Sequence, residues 1–166
     1  VQPRVRLEPV NDHLVERLLA LAVAEAEPED VMPAVPAGPG WPPLRHEAFR
    51  AFHRKHFDGL GGVHRTQMYA VLSEDSVVGM IRMSRLDEPG VVETGMWLGR
   101  GSRGRGLGAA ALAALLAEAK RAGVRRVVAR TTADNAAALG ALSGLGARLR
   151  AEGGAVHAEF ELRAAG

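Results

Sequence analysis

The chain has 166 residues, 47% of them hydrophobic, 24% charged and none cysteine, a balance that suits a single domain over residues 1–166 with a core of small aliphatic side chains. Without cysteine there is no disulfide framework, thiolate nucleophile or cysteine-ligated zinc, which fits a reducing cytoplasm, and no run of apolar residues is long enough to expect a membrane partner. Net charge is only +2, yet eight basic residues and one acidic residue, Glu118, fall between Arg100 and Arg130, a pattern of either an anion held at one place or a solvated face.

Alternation of Val5 and Leu7 with charged neighbours predicts a first strand over residues 4–9. Asn11 or Asp12 is placed to cap a helix whose stripe of Leu14, Leu18 and Leu21 runs to about Ala26. Six prolines between residues 27 and 43 then predict a long loop without regular structure. Leu44, Ala48, Phe49 and Phe52 form the stripe of a second helix, stopped by Gly59, Gly61 and Gly62.

Gln67–Ser73, Val77–Arg85 and Val91–Leu98 read as an antiparallel meander. Leu107–Ala122, nearly all alanine and leucine and closed by Gly123, is the clearest helix in the chain. Val124–Thr131 is a strand, and Asn135–Leu145 a helix capped by Asp134 or Asn135. Arg148–Glu152 and Val156–Leu162 close the chain as a hairpin around Gly153-Gly154. The order is β-α-α-β-β-β-α-β-α-β-β, an α/β domain with a mixed sheet.

Residues 91–108 carry the chemistry: a strand, a turn with five glycines, then a helix. Glycine lets the backbone adopt positive φ and approach a ligand, while a helix start offers free N–H groups and a positive partial charge, which together suit phosphate. The lysine and Ser/Thr of a nucleotide-binding P-loop are missing. A dinucleotide fingerprint fits poorly, because Val124-Arg125-Arg126 stands where an acidic ribose ligand is expected. Arg100 to Gly106 also reads as an arginine-glycine segment, but it lacks the aromatic residues of a nucleic-acid platform, so no nucleic-acid partner is expected.

Arg103-x-x-Gly106-x-Gly108 resembles the Gln/Arg-x-x-Gly-x-Gly/Ala signature with which the GNAT superfamily of acyl-CoA-dependent N-acetyltransferases holds the pyrophosphate of coenzyme A. Glu93-Thr-Gly95-Met-Trp97-Leu98 resembles the strand before that loop in the branch containing ribosomal-protein N-terminal acetyltransferases. Asn135-x-x-Ala138 and then Leu145-Gly146 resemble the second motif of the superfamily. The specific likeness covers about residues 91–147.

The resemblance implies a GNAT-type, mostly antiparallel sheet with flanking helices, and acetyl-CoA as cosubstrate without a metal. It further implies that Met96, Trp97 and Leu98 line the pantetheine arm, that Arg103, Gly104, Arg105, Gly106, Leu107 and Gly108 hold the pyrophosphate, and that Asn135 and Ala138 flank the arm. A primary amine, on a small molecule, an antibiotic or a peptide N-terminus, would attack the thioester directly in a ternary complex. Glu93 is the candidate base, against a reading as a salt-bridged strand residue. A tyrosine usual in the superfamily as general acid is here Leu142, which leaves the neighbouring Ser143 as candidate, and the usual aromatic after Leu-Gly is Ala147. These departures keep a second reading open, a CoA-binding sensor or non-catalytic member.

Glu25, Glu27, Glu29 and Asp30 beside Trp41 would suit a cationic acceptor, or simply a soluble loop. His53, His56 and His64 lack a close further ligand, so no metal is expected there. Trp97, alternating with Met96 on the strand, reads as a core residue before a ligand. The acceptor and the oligomeric state, a homodimer included, stay open.

Overall fold

The computed structural model describes residues 3–163. Seven strands, β1 (Arg6–Pro9), β2 (Thr66–Ser73), β3 (Ser76–Arg85), β4 (Val91–Leu98), β5 (Arg126–Thr132), β6 (Arg148–Glu152) and β7 (Ala155–Glu161), form one sheet in the order β1-β2-β3-β4-β5-β7-β6. Every neighbouring pair is antiparallel except β4 and β5. Five helices accompany it: α1 (Asp12–Glu25), α2 (Pro28–Val31), α3 (Pro43–Arg54), α4 (Leu107–Arg121) and α5 (Ala136–Gly144). None of the described helices is long and apolar enough to cross a membrane.

The period-2 pattern of the strands builds a core on each face of the sheet. Along β2, Met68, Ala70 and Leu72 join Leu14, Leu18, Phe49 and Trp97 under α1 and α3. Tyr69 and Val71, pointing the other way, join Leu107, Ala111 and Leu115 of α4 and Leu142 of α5. Leu115 is fully buried, so its truncation to alanine would cost about 2–5 kcal/mol. The stretch of α4 is hydrophobic nearly all round because the sheet takes one side and α5 packs against another.

Local chemistry sets the boundaries. α4 ends with Gly123 at φ +80°, where Gly123 N–H donates to Lys120 and Val124 N–H to the Ala119 carbonyl. That cap holds Val124, so β5 begins at Arg126 rather than at Val124 as the composition predicts. The proline-rich stretch is likewise not wholly irregular. Pro28 occupies the first position of the single-turn helix α2, where its missing N–H costs nothing, and Met32 N–H closes the turn on the Pro28 carbonyl. Farther on, buried Arg45 donates to the carbonyls of Ala37 and Gly38 and pins the loop to α3.

Candidate functional site

β4 and β5 run parallel for only three residue pairs, Val91 with Arg126, Val92 with Val127 and Glu93 with Val128. Beyond Glu93 the two strands no longer pair, although β4 continues to Leu98 and β5 to Thr132. On its other side β4 stays paired with β3 through Leu98. The parting therefore leaves a slot edged by backbone polar groups, and an extended chain of amides could add there as a strand would.

The far end of β4 is shaped by β3. Register shifts where Val71 faces Gly79 and Leu72 faces Val77, so Val78 is an extra residue in β3. The Val78 carbonyl accepts from Gly99 N–H at 2.9 Å. A Cβ on Gly79 would lie 2.2 Å from the Trp97 carbonyl oxygen, a backbone atom with nowhere to go. Gly79 thus lets β3 lie close against the end of β4, and the sequence did not single it out; a glycine inside an apolar strand was its signal.

At Leu98 the chain passes through a single 3-10 turn, Arg100–Ser102, into α4. Glu25 at the end of α1 accepts from Gly101 N–H, and Glu27 pairs with Arg100 at 3.7 Å. Both carboxylates expected to face an acceptor thus hold the glycine turn instead. Arg103 folds back, its Nε donating to the Leu98 carbonyl at 3.3 Å. Gly104 and Gly106 both have positive φ, +74° and +76°, conformations that branched residues avoid.

Gly106 is the N-cap of α4 and brings no side-chain bond to it. The first backbone bond of the helix runs from Ala110 N–H to the Gly106 carbonyl. Among the described residues, the N–H groups of Gly104, Arg105, Gly106, Leu107, Gly108 and Ala109 have no protein acceptor. Six open donors at a helix start, with the exposed Arg103 and Arg105 beside them, form a cradle for an anion of diphosphate size. Met96 and Leu98 flank it from β4: a Cβ on Gly108 would rest 3.5 and 3.6 Å from their side chains, ordinary contact. Trp97 points the other way into the α1/α3 core, 7% exposed, so only its backbone faces the slot.

The second motif sits beyond β5. Asn135 Oδ1 accepts from Ala138 N–H at 3.1 Å, so this side chain closes the start of α5. Leu142 is buried in the core beneath α4 and Ala147 packs against the same cluster, whereas Ser143 is exposed and its hydroxyl has no hydrogen-bond partner among the described residues. The side chain at the superfamily's tyrosine position thus faces the core.

Glu93 is the last residue of β4 paired with β5, half-exposed, with Arg82 of β3 3.5 Å away. Arg82 also donates to Ser84, which shares a 2.8 Å hydrogen bond with Thr66, and its carbonyl accepts from Thr94. This arginine was not among the expected site residues; a lone charge between Ile81 and Met83 in a buried strand was the legible sign of it. Glu29, Asp30, Phe52, Arg82 and Trp97 line a cleft of about 370 Å³ beside the slot. Trp41 does not open onto it, because its indole donates to the Ala26 carbonyl and packs edge-on to Phe49.

Among the described residues, no three histidine, aspartate or glutamate side chains gather as metal ligands. His56 and His64 lie 5.1 Å apart at the surface, whereas His53 turns into the core between Phe49 and Phe52. The His53 Nδ1 lies 2.8 Å from the Phe49 carbonyl and Nε2 has no partner; burial pushes its pKa down to about 4.

The sequence matches the acetyltransferase (GNAT) domain family over residues 4–148. No curated protein matches it. Among solved structures, the GNAT domain of S. lividans PAT is 20% identical with a TM-score of 0.70, over 95% of this chain and 90% of that one. The acetyltransferase from Salmonella typhimurium that modifies the N-terminal serine of 50S ribosomal subunit protein L7/L12 is 16% identical, TM-score 0.73, over 96% of each chain. Campylobacter jejuni PseH, solved with acetyl coenzyme A, is 12% identical, TM-score 0.69, over 96% of this chain and 99% of that one.

Proposed function

The chain belongs to the acetyltransferase (GNAT) domain family, and on that premise we propose that it moves an acetyl group from acetyl-CoA to a primary amine, by direct attack in a ternary complex. The observation that carries this reading is the slot between β4 and β5 leading to the uncapped start of α4. Its parts fit the cosubstrate. The six open N–H groups and Arg103 and Arg105 complement the pyrophosphate, and the unpaired edge of β4 from Thr94 to Leu98 complements the amides of pantetheine.

In this reading the thioester lies near Leu98, where a backbone N–H stabilises the oxyanion. The amine nitrogen bonds to the carbonyl carbon, and the carbon–sulfur bond breaks when the tetrahedral intermediate collapses. Glu93 takes the proton from the amine through intervening water, because five strand residues, roughly 16 Å, separate it from Leu98. Arg82 holds the Glu93 carboxylate in place from the neighbouring strand. Ser143 relays a proton to the departing thiolate, directly or through water, and takes its replacement proton from solvent. Asp30 and Glu29 line the approach and favour a protonated amine in the last step before it loses its proton.

Thiol release from acetyl-CoA, followed across a panel of primary amines, tests the proposal. Turnover is expected with at least one amine, and Glu93→Gln should lower kcat by about a hundredfold with CoA affinity retained. Equal turnover in Glu93→Gln would remove it as the base. Tight CoA binding with no thiol release for any amine would contradict transfer itself.

A further inference from the structure

The sheet is covered unevenly. Its β1–β4 half carries helices on both faces, but on the β5–β7–β6 half only the α4/α5 side is packed. The bare face is a groove of about 670 Å³ with Glu93 at one end and Arg130, Arg148, Arg150, His157 and Glu159 along it. Strand register fixes their arrangement. Arg130, His157 and Arg150 lie directly opposite one another across β5, β7 and β6, and Val128, Glu159 and Arg148 form the next row, which continues to Glu93.

The three arginines of this groove are at most weakly paired. Glu93 is paired with Arg82, and Glu159 is within 3.4 Å of Arg126, on the side away from the first row. Arg130 and Arg148 have no acidic partner among the described residues, and Arg150 has only Glu152, at 3.8 Å and largely solvated, a carboxylate that also lies 3.2 Å from His157 Nε2. Arg130 and Arg150 flank His157 in one row, just beyond the point where the pairing of β4 with β5 stops. Arg130 lies two residues beyond the last β4–β5 pair, beside the slot, and Arg150 lies two strand spacings farther, about 10 Å away.

We propose that this groove binds an anionic group of the acceptor, so that the preferred substrate is a primary amine that also carries a carboxylate or phosphate. The proposal rests on the transfer reading above and deepens it. The amine enters beside Glu93, while the guanidinium groups of Arg130, Arg148 and Arg150 hold the anion on the bare face. A purely cationic acceptor such as a polyamine would meet repulsion there.

The test pairs each of several amino acids and phosphate-bearing amines with its uncharged counterpart, an amide or an alcohol. Binding is measured by calorimetry in the presence of CoA, and transfer by thiol release. The anionic member should bind and react about tenfold better, and that preference should vanish in the Arg148→Ser/Arg150→Ser double variant, whose changes lie on the exposed β6. Carboxylate-selective and phosphate-selective binding are separated by the two arms of the panel. Equal binding of charged and uncharged members, or a preference that survives the double variant, would overturn the proposal while leaving acetyl transfer intact. Selective anion binding without thiol release would instead count against transfer and leave the groove's selectivity standing.

Discussion

α4 and α5 are both alanine-rich helices, and each begins where one of the two parting strands ends, yet their first turns are finished in opposite ways. At α5 the chain closes its own helix, Asn135 accepting from Ala138 N–H. At α4 the N-cap is Gly106, which has no side chain, and the open N–H groups from Gly104 to Ala109 are left for something else. Composition does not distinguish the two ends; the cap residue does. A helix start closed by asparagine satisfies its own donors, whereas one opened by two glycines at positive φ leaves them open to an anion.

The sharpest way to break this contrast is Gly106→Val. A branched residue at φ +76°, its Cβ 3.3 Å from Pro3, forces the loop to move, and strain plus lost charge-assisted bonds should weaken CoA binding roughly a thousandfold. Equilibrium binding measures this, and an unchanged affinity would place the diphosphate elsewhere.

A pH series moves stability without touching either helix start. His53 is held near 4 in the fold against 6.5 for a free side chain, so as pH falls below 6.5 the unfolded chain takes a proton that the folded chain refuses. Its stabilising effect is complete above pH 6.5 and is lost progressively down to about pH 4. Unfolding free energy should fall by about 3 kcal/mol over that window, and His53→Leu should flatten the decline. An equally steep decline in that variant would assign it to other groups.

Asn135→Ala should cost about 1 kcal/mol of stability through loss of the cap, and shift CoA affinity by less than about tenfold. A larger loss of affinity than of stability would give Asn135 a direct role toward pantetheine. The smallest effect belongs to Gly108→Ala. Its Cβ would make only ordinary contacts with Met96 and Leu98, and binding should change by less than about twofold.

What could be read in advance follows from the range of each signal. Local signals held: the Gly123 stop after α4 and the Gly153-Gly154 hairpin stand where the residues placed them, and of the two cap candidates at α1 and at α5 the asparagines, Asn11 and Asn135, are the ones used. The glycine turn was legible because positive φ and uncapped donors are local properties. Arg82 was not, because its place beside Glu93 depends on the β3–β4 register that sets Ser84 against Glu93. Nor could the sequence show that Glu25 and Glu27 would be used to hold the glycine turn, or that Leu142 would face the core. Those are decisions of packing between distant elements, and no spacing along the chain records them.

Amide hydrogen exchange with and without CoA tests the central contrast most directly. Exchange at residues 104–109 should slow strongly when CoA is added, whereas Ala138, already bonded to Asn135, should change little. Protection appearing at the start of α5 while residues 104–109 stay unaffected would contradict the assignment of the anion to α4.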